Sequence, residues 1–263
     1  MTVFISGDTH GDFGPLKARA KNMSIGFGDT IIVLGDNGLN FHGAIKDNQK
    51  KNMLAKKMDC EFFIIRGNHD DRPEDIFIFP GDEINYDDYV YSGIYIPKAH
   101  YETYFGNTVI VEDKYPKIKY AIDGLVYDIE GKKALVIGGG YSVDKFYRLV
   151  NGWKWVENEM LTEEEMNSIF ETFENNHVDI VLSHVAPRAF EPWVKKTFLN
   201  QGDLPGWFSI DHSMENWMNK LLWSNNNIIE LWYFAHYHAN FNCADIGVML
   251  FDKIIPFGEK VKD

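Results

Sequence analysis

Five short apolar runs along the chain each end in a cluster of polar residues. The runs are rich in β-branched and aromatic side chains, a pattern that predicts buried strands. These predicted strands span 2–6, 30–34, 61–65, 178–183 and 228–234. The polar clusters at their ends are Asp8-Thr9-His10, Gly35-Asp36-Asn37, Gly67-Asn68-His69-Asp70, Ser183-His184 and His236-Tyr237-His238.

Helices are predicted between the first strands, near 14–23 and 42–58. This alternation is typical of an α/β fold with a parallel sheet, in which functional groups gather at the carboxyl ends of the strands. Two aspartates, one asparagine and five histidines would therefore meet at one sheet edge. Taken singly, an aspartate here could cap a helix and an asparagine could form a turn. Together, the five clusters favour a site for a pair of divalent cations.

The rest of the chain extends the same single domain, which we predict to span 1–263. Residues 71–117 and 186–210 carry several prolines and little periodicity, so we predict irregular segments there, the first of them with short strands. The other predictions are a hairpin of 118–129 with 133–137 around Glu130-Gly131, a helix from the capping box Thr162/Glu165 to about Phe173, a helix near 212–223, and a final strand over 241–251.

The order of the five clusters resembles the calcineurin-like metallophosphoesterase superfamily. Its signature reads D-x-H, G-D, G-N-H-[DE], an isolated H, and G-H-x-H, and the match extends from residue 3 to about residue 250. The resemblance implies a four-layer α/β sandwich of two mixed β-sheets flanked by helices, with a metal site at the carboxyl ends of the strands. It implies a phosphoesterase that hydrolyses a phosphate ester through a hydroxide shared by two metal ions.

The resemblance also implies which residues hold the metals. Asp36 would bridge the two ions. One site would be completed by Asp8, His10 and His238, and the other by Asn68, His184 and His236. This set of oxygen and nitrogen ligands without thiolate indicates Mn²⁺, Fe or Zn²⁺, with Mg²⁺ as a further possibility.

His69 is the predicted catalytic residue, as a general acid or as a phosphate contact. An acid should orient it, and either Asp70 or Asp71 would serve. In the protein-phosphatase branch that acid lies three residues after the bridging aspartate, where this chain has Leu39. The D-x-x-D-R-G pattern of that branch is absent, which disfavours protein-phosphatase activity. Ala235 stands where the family has glycine, which would strain the turn if that position needs φ > 0.

A second stretch, Gly138 to Lys145 followed by Arg148, resembles a bacterial and phage-type subgroup of the superfamily. Lys145 and Arg148 are candidate substrate contacts, although Glu157 or Glu159 could instead pair with Arg148. Arg66 is a third candidate, against the simpler reading of a charge at a strand end.

Composition limits the partners. The net charge of −13 disfavours long nucleic acid and anionic membranes, and indicates a small phosphate ester as substrate. We expect a cytoplasmic protein without signal peptide or membrane span, and free thiols at Cys60 and Cys243. The alternatives are a nuclease or cyclic-nucleotide phosphodiesterase on the same site, or a non-catalytic metal-binding scaffold. The sequence leaves the oligomeric state open.

Overall fold

The computed structural model describes residues 1–82, 97–198 and 210–262, which form two β-sheets flanked by helices. The strands, numbered in chain order, are β1 Val3–Ser6, β2 Thr30–Leu34, β3 Glu61–Ile65, β4 Ala99–Tyr104, β5 Asn107–Glu112, β6 Ile118–Ala121, β7 Val126–Ile129, β8 Lys132–Ile137, β9 Ile180–Ser183, β10 Leu231–Phe234, β11 Phe241–Cys243, β12 Gly247–Met249 and β13 Ile254–Pro256. The helices are α1 Phe13–Asn22, α2 Ala44–Lys57, α3 Pro73–Ile76, α4 Lys145–Val150, α5 Glu163–Asn175, α6 Glu191–Phe198 and α7 Ser213–Leu222, with a 3-10 helix at Arg188–Phe190.

Both sheets are mixed, with a parallel centre. The first has seven strands in the order β13-β1-β2-β3-β6-β5-β4, of which β1, β2, β3 and β6 are parallel. The second has six strands in the order β11-β12-β10-β9-β8-β7, of which β12, β10, β9 and β8 are parallel. The parallel centres bring the carboxyl ends of β1, β2 and β3 together, and likewise those of β9 and β10.

Alternating side chains of the strands divide the core into layers, because successive residues of a strand point to opposite faces. On β2, Ile32 and Leu34 belong to the cluster between the two sheets, whereas Ile31 and Val33 join the cluster beneath α1 and α2. The outer face of the second sheet packs under α5 and α7 through a third cluster. The predicted four-layer α/β sandwich is therefore confirmed.

The most regular local signals were read correctly from the sequence. All five strands that precede the polar clusters form, as β1, β2, β3, β9 and β10. The capping box of α5 is present: the Thr162 hydroxyl accepts from the Glu165 amide at 3.2 Å, and the Glu165 carboxylate accepts from the Thr162 amide at 2.8 Å. The hairpin turn is also confirmed, with positive φ at Glu130 and Gly131.

The strand predicted over 118–129 is wrong, because the chain changes sheets within it. Ile118–Ala121 pairs with β3 and β5 in the first sheet, and Val126–Ile129 pairs with β8 in the second. The crossing lies near Asp123, whose carboxylate accepts a hydrogen bond from the Gly138 amide at 2.6 Å. Both halves are apolar, so local patterning could not show the crossing.

The two segments predicted as irregular differ in outcome: the short strands predicted within 71–117 are present, whereas the helices within 186–210 were not predicted. Within 71–117, residues 99–112 form the antiparallel pair β4 and β5, while 83–96 lie outside the described residues. Within 186–210, residues 188–198 are helical, and 199–209 lie outside the described residues. Pro192 falls in the first turn of α6, where proline is tolerated because its missing N–H has no partner there anyway.

The final strand predicted over 241–251 is also wrong. Residues 241–249 fold back on themselves as the antiparallel pair β11 and β12, with Ala244 at a positive φ of 51° in the turn. The chain then returns to the first sheet, where β13 pairs with β1. The tail thus contributes to both sheets.

Cys60 and Cys243 are buried free cysteines, as predicted, and burial raises the pKa of each thiol to about 12. In the part of the chain that the structure describes, no helix is long and apolar enough to cross a membrane.

Candidate metal centre

The polar clusters at the ends of five strands converge between the two sheets. β1, β2 and β3 lead to ligands from the first sheet, and β9 and β10 to ligands from the second. The side chains brought together are those of Asp8, His10, Asp36, Asn68, His69, His184, His236 and His238. The structure therefore assembles the whole predicted ligand set at one place.

The backbone at this place is strained in a way that favours function. Among the described residues, eight non-glycine residues have positive φ, and four of them are His10, Asp36, His236 and His238, at 46°, 43°, 66° and 50°. Each left-handed residue costs about 1–3 kcal/mol and persists only where its surroundings enforce it. Strain concentrated at four clustered polar residues is typical of a binding site.

The location of this strain shows whether alanine is tolerated at position 235, where the family has glycine. The positive φ lies at His236, one residue later, so alanine in place of glycine does not strain the turn. Ala235 is fully buried, and its amide donates to the carbonyl of His184 at 2.9 Å. The departure from the family pattern therefore leaves the ligands of β10 in place.

The first ligand group consists of Asp8, His10 and His238. The Nε2 atoms of the two histidines lie 2.9 Å apart. Asp8 Oδ2 lies 3.2 Å from Nε2 of His238 and 3.8 Å from Nε2 of His10. Three donor atoms from two loops, those after β1 and β10, thus point at one small volume.

The second group consists of Asp36, His184 and His236, and Asn68 joins it. Nε2 of His184 lies 2.8 Å from Oδ1 of Asn68 and 3.2 Å from Nδ1 of His236. It also lies 3.5 Å from Oδ1 of Asp36. This atom is therefore the centre of the second group.

Asp36 stands between the two groups. Its Oδ1 faces His184 in the second group, whereas its Oδ2 lies 3.9 Å from Nδ1 of His10 in the first. The amide of His69 donates to Oδ1 at 2.8 Å and fixes the carboxylate. One carboxylate thus presents one oxygen to each group.

The ring of His184 is held in a single orientation. Its Nδ1 lies 2.7 Å from the carbonyl oxygen of Leu34, which can only accept, so Nδ1 carries the proton and Nε2 offers its lone pair to the site. The ring fits because position 35 is glycine: a Cβ there would lie 2.3 Å from Nδ1. Burial lowers the pKa of His184 to about 3, which keeps the imidazole neutral as a ligand requires.

Asn68 is oriented by Ser142, which is held in turn by Glu159; both lie in the segment that follows β8. Its Nδ2 donates to the Ser142 hydroxyl at 2.8 Å, and that hydroxyl donates to Glu159 Oε2 at 2.5 Å. The Ser142 amide donates to the other carboxylate oxygen of Glu159 at 3.0 Å. Because the amide nitrogen of Asn68 is engaged in this way, its oxygen faces the second group. Sequence reasoning missed these roles of Ser142 and Glu159, although both lie in the subgroup-like stretch.

The residues present fit metal ions. Asp8 Oδ2 is buried and has no hydrogen-bond partner among the described residues, although His238 is near in distance. Burial raises the pKa of Asp36 well above its usual value, and the charges of Asp8 and Asp70 raise it further. Two buried carboxylates surrounded by neutral imidazoles are stabilised by cations bound between them. The oxygen and nitrogen donors are those of divalent transition metals.

His69 lies beside the ligands without joining either group. Its Nε2 is 3.5 Å from Nη2 of Arg148, and its ring centroid is 6.3 Å from that of His10. Burial, and then the charge of Arg148, lower the pKa of His69 to about 4. Arg148 pairs with Asp144 at 2.7 Å and not with Glu157 or Glu159.

Asp70 has a different place from the predicted one. Its buried carboxylate accepts hydrogen bonds from the amides of Asn37, Gly38 and Gly67 and from Asn37 Nδ2, at 2.7–3.2 Å. It joins the loops after β2 and β3 and does not face His69. Asp71 instead forms an ion pair with Lys154. Neither acid takes the orienting position that the sequence suggested.

Two predicted substrate contacts are engaged within the protein. The buried guanidinium of Arg66 donates to Asp123 at 3.0 and 3.2 Å and to the carbonyl of Glu159 at 2.9 Å, so it supports the Glu159 turn. Lys145 Nζ lies over the ring of Trp155, 4.0 Å from its centroid. Of the three predicted contacts, only Arg148 reaches the predicted catalytic histidine.

A pocket of about 270 Å³ opens beside the two ligand groups. Its outer wall consists of Tyr141, Val143, Asp144, Val185, Ile210, Asp211, His212, Met214, Glu215 and Tyr237. His212, which has no motif context in the sequence, forms an ion pair with Glu215, and Tyr237 donates to the same carboxylate at 2.8 Å. His212 and Glu215 carry no local signal in the sequence, because segments distant in the chain bring them to the pocket.

Ser142→Ala should weaken metal binding at the second group by about tenfold to a hundredfold, the usual effect of losing the partner that orients a ligand. Binding at the first group should change little, since Asn68 belongs only to the second. Calorimetric titration of metal-stripped protein with Mn²⁺ would measure both sites, with the exposed Ser168→Ala as the matched control. Equal weakening of both sites would argue against this role for Ser142.

Comparison with known proteins agrees with the geometry. A family model described as calcineurin-like phosphoesterase matches residues 1–240. A search of curated proteins finds no match. The matched range includes all seven predicted metal ligands and extends over most of the chain. The chain therefore belongs to the calcineurin-like phosphoesterase family and is a metal-dependent hydrolase of phosphate esters.

Proposed function

We propose that this chain hydrolyses a small phosphate ester at a dinuclear metal centre. The observation that carries the proposal is the position of Asp36, whose two oxygens face two separate ligand groups. A single metal site would need only one of these groups. A carboxylate held between two groups of imidazoles and carboxylates is suited to bridge two ions.

Within this proposal the chain's own residues divide the work. Asp8, His10 and His238 hold one ion, and Asn68, His184 and His236 hold the other. When bound, two divalent ions lower the pKa of water and neutralise charge on the phosphoryl oxygens. His69, which is next to the bridging Asp36 but outside both groups, contacts the phosphoryl group, or protonates the leaving oxygen once the negative charge of the ester has raised its pKa from about 4. Arg148 holds His69 in place and adds positive charge near the ester.

The donor set favours particular metals. Four histidines, two carboxylates and one amide oxygen suit Mn²⁺, Fe and Zn²⁺ better than Mg²⁺, which prefers oxygen ligands and retains several waters. We therefore propose Mn²⁺, Fe or Zn²⁺ as the resident pair.

Metal analysis of the purified protein, paired with a panel of phosphate esters, tests the proposal. We expect about two ions per chain and turnover of at least one ester. A panel of 4-nitrophenyl phosphate, its bis-ester, a cyclic nucleotide and single-stranded DNA separates a monoesterase from the diesterase and nuclease alternatives. Two bound ions without turnover of any ester would instead indicate the non-catalytic scaffold.

Asp36→Asn should remove more metal than a single substitution of any other ligand. Of the seven predicted ligands, Asp36 is the one proposed to bridge both ions, and an amide lacks the charge and the second anionic oxygen. Metal content per chain and turnover of 4-nitrophenyl phosphate measure the effect, with Asp59→Asn as a control because its carboxylate is 70% exposed. Retention of two ions and a near-normal rate would show that Asp36 is not the bridge.

His69→Ala should lower kcat by roughly 10²–10⁴, the usual range for a lost general acid or base, while metal content stays nearly intact. Comparison of aryl with alkyl phosphates then defines the role. A proton donor predicts a smaller loss for the aryl ester, whose leaving group needs little protonation, whereas equal losses would indicate a phosphate contact. His177→Ala is the control, because His177 is 70% exposed and, within the described ranges, its side chain pairs with Asp179 alone.

A further inference from the structure

Two cationic side chains lie over one aromatic ring on the His69 side of the metal centre, and a third, Lys50, lies beside the residue that follows the ligand His10. The ring is Phe41, whose centroid lies 5.7 Å from that of His69. The Arg148 guanidinium carbon and Lys154 Nζ lie 5.7 and 5.0 Å from the Phe41 centroid. Together with Lys50, these residues form a surface that we call the cationic ledge: Phe41, Lys50, Arg148 and Lys154.

Two members of the ledge are held in place by ion-pair partners. Arg148 donates to Asp144 at 2.7 Å and to the carbonyl of Lys154 at 3.3 Å, while its Nη2 remains near His69. Lys154 forms an ion pair with Asp71. These contacts hold the cations in position, which reduces the entropy lost when a ligand binds.

Lys50 differs from them, because it forms no ion pair or hydrogen bond with any described residue. Its half-buried ammonium group lies against Gly11, directly after the ligand His10, and a Cβ on Gly11 would lie 2.0 Å from Nζ. Partial burial lowers the pKa of Lys50, while the more distant carboxylates of Asp47 and Asp70 oppose that shift. A partly desolvated cation without a close anionic partner is a suitable contact for an anion from solution.

The opposite side of the metal centre has a contrasting character. No lysine or arginine of the described residues lines the pocket there, and its wall includes Val143, Met214, Asp211 and Glu215. An anionic substituent of the substrate would meet carboxylates on that side and cations on the ledge. Because Asp144 and Asp71 pair with Arg148 and Lys154, the positive charge on the ledge that has no ion-pair partner among the described residues is that of Lys50, in a chain with a net charge of −13.

We propose that the cationic ledge binds a second anionic group, a phosphate or a carboxylate, carried by the leaving group of the substrate. The leaving group would depart toward His69 and lie against Phe41, with its anion between Lys50 and the pair Arg148 and Lys154. The proposal rests on the proposed hydrolysis of phosphate esters. It narrows the substrate class to esters with two anionic groups.

Binding of non-hydrolysable analogues tests this proposal independently of turnover. The probes are 3-carboxybenzylphosphonate and its uncharged match 3-carbamoylbenzylphosphonate, titrated by calorimetry into Mn²⁺-loaded protein. We expect the carboxylate to bind about tenfold to a hundredfold more tightly, as for a gained charged contact. A third probe, 1,3-bis(phosphonomethyl)benzene, shows whether phosphate is preferred to carboxylate.

Lys50→Met should remove most of this preference, whereas Lys56→Met, an exposed lysine on the same helix, should retain it. The exposed Lys154→Met serves as a second variant if Lys50→Met folds poorly, and it should reduce the preference several-fold. The preference should also fall with added salt, since screening weakens exposed charge interactions.

Equal affinities of the two matched probes in the unmodified protein would overturn the proposal, as would a preference that survives in both Lys50→Met and Lys154→Met. Turnover of 4-nitrophenyl phosphate, which lacks a second anion, reports on the proposed function alone. If the protein shows the binding preference but hydrolyses no ester, the proposal for the ledge stands and the proposed function is wrong.

Discussion

Two buried carboxylates at the meeting point of two sheets are the constraint that organises this protein. Asp8 and Asp36 are 5% and 3% exposed, and burial together with the charge of Asp8 raises the pKa of Asp36. Burying such charges without compensation is unfavourable. The neutral imidazoles around them cannot supply positive charge, because burial lowers the pKa values of His10, His184 and His236. The arrangement is stable when cations are bound. The loops, the glycine turns and the sheet edges hold its ligands in position.

The parallel centres of the sheets are what make this crowding possible. In both sheets the strands end at the same edge, so ligands from distant parts of the chain arrive without long loops of their own. The cost appears in the backbone, where Asp36 and His236 turn through left-handed conformations directly after β2 and β10. Asp70 helps to stabilise these strained turns, because its carboxylate joins the loops after β2 and β3 through four hydrogen bonds.

The ligand set could be predicted from the sequence because its signals are local. A short apolar run followed by Asp36 or His184 can be read without knowing its neighbours. The functions of Ser142, Glu159 and Asp70 could not be predicted, since each depends on a contact between loops far apart in the chain. The same reason explains the chain crossing near Asp123 and the helix at 191–198. An apolar stretch shows that it is buried, but not against which sheet.

Residues 138–159 both support the metal site and contribute side chains to the pocket and the ledge. This segment begins at the end of β8, where the Gly139 amide donates to the carbonyl of Arg66. It ends at Glu159, whose carboxylate accepts a hydrogen bond from the Ser142 hydroxyl and whose carbonyl accepts one from Arg66. Between these anchors it contributes Val143 and Asp144 to the pocket and Arg148 and Lys154 to the ledge.

Seven ligands on five strand ends are tied to the sheets and leave little freedom for change. Within the segment, Ser142 and Glu159 orient the ligand Asn68, whereas residues 143–158 form no hydrogen bond or ion pair with a metal ligand among the described residues, so their side chains can differ with less effect on the metals. If the proposed function holds, the strand ends determine the chemistry, and we expect residues 143–158 to influence which phosphate ester is hydrolysed.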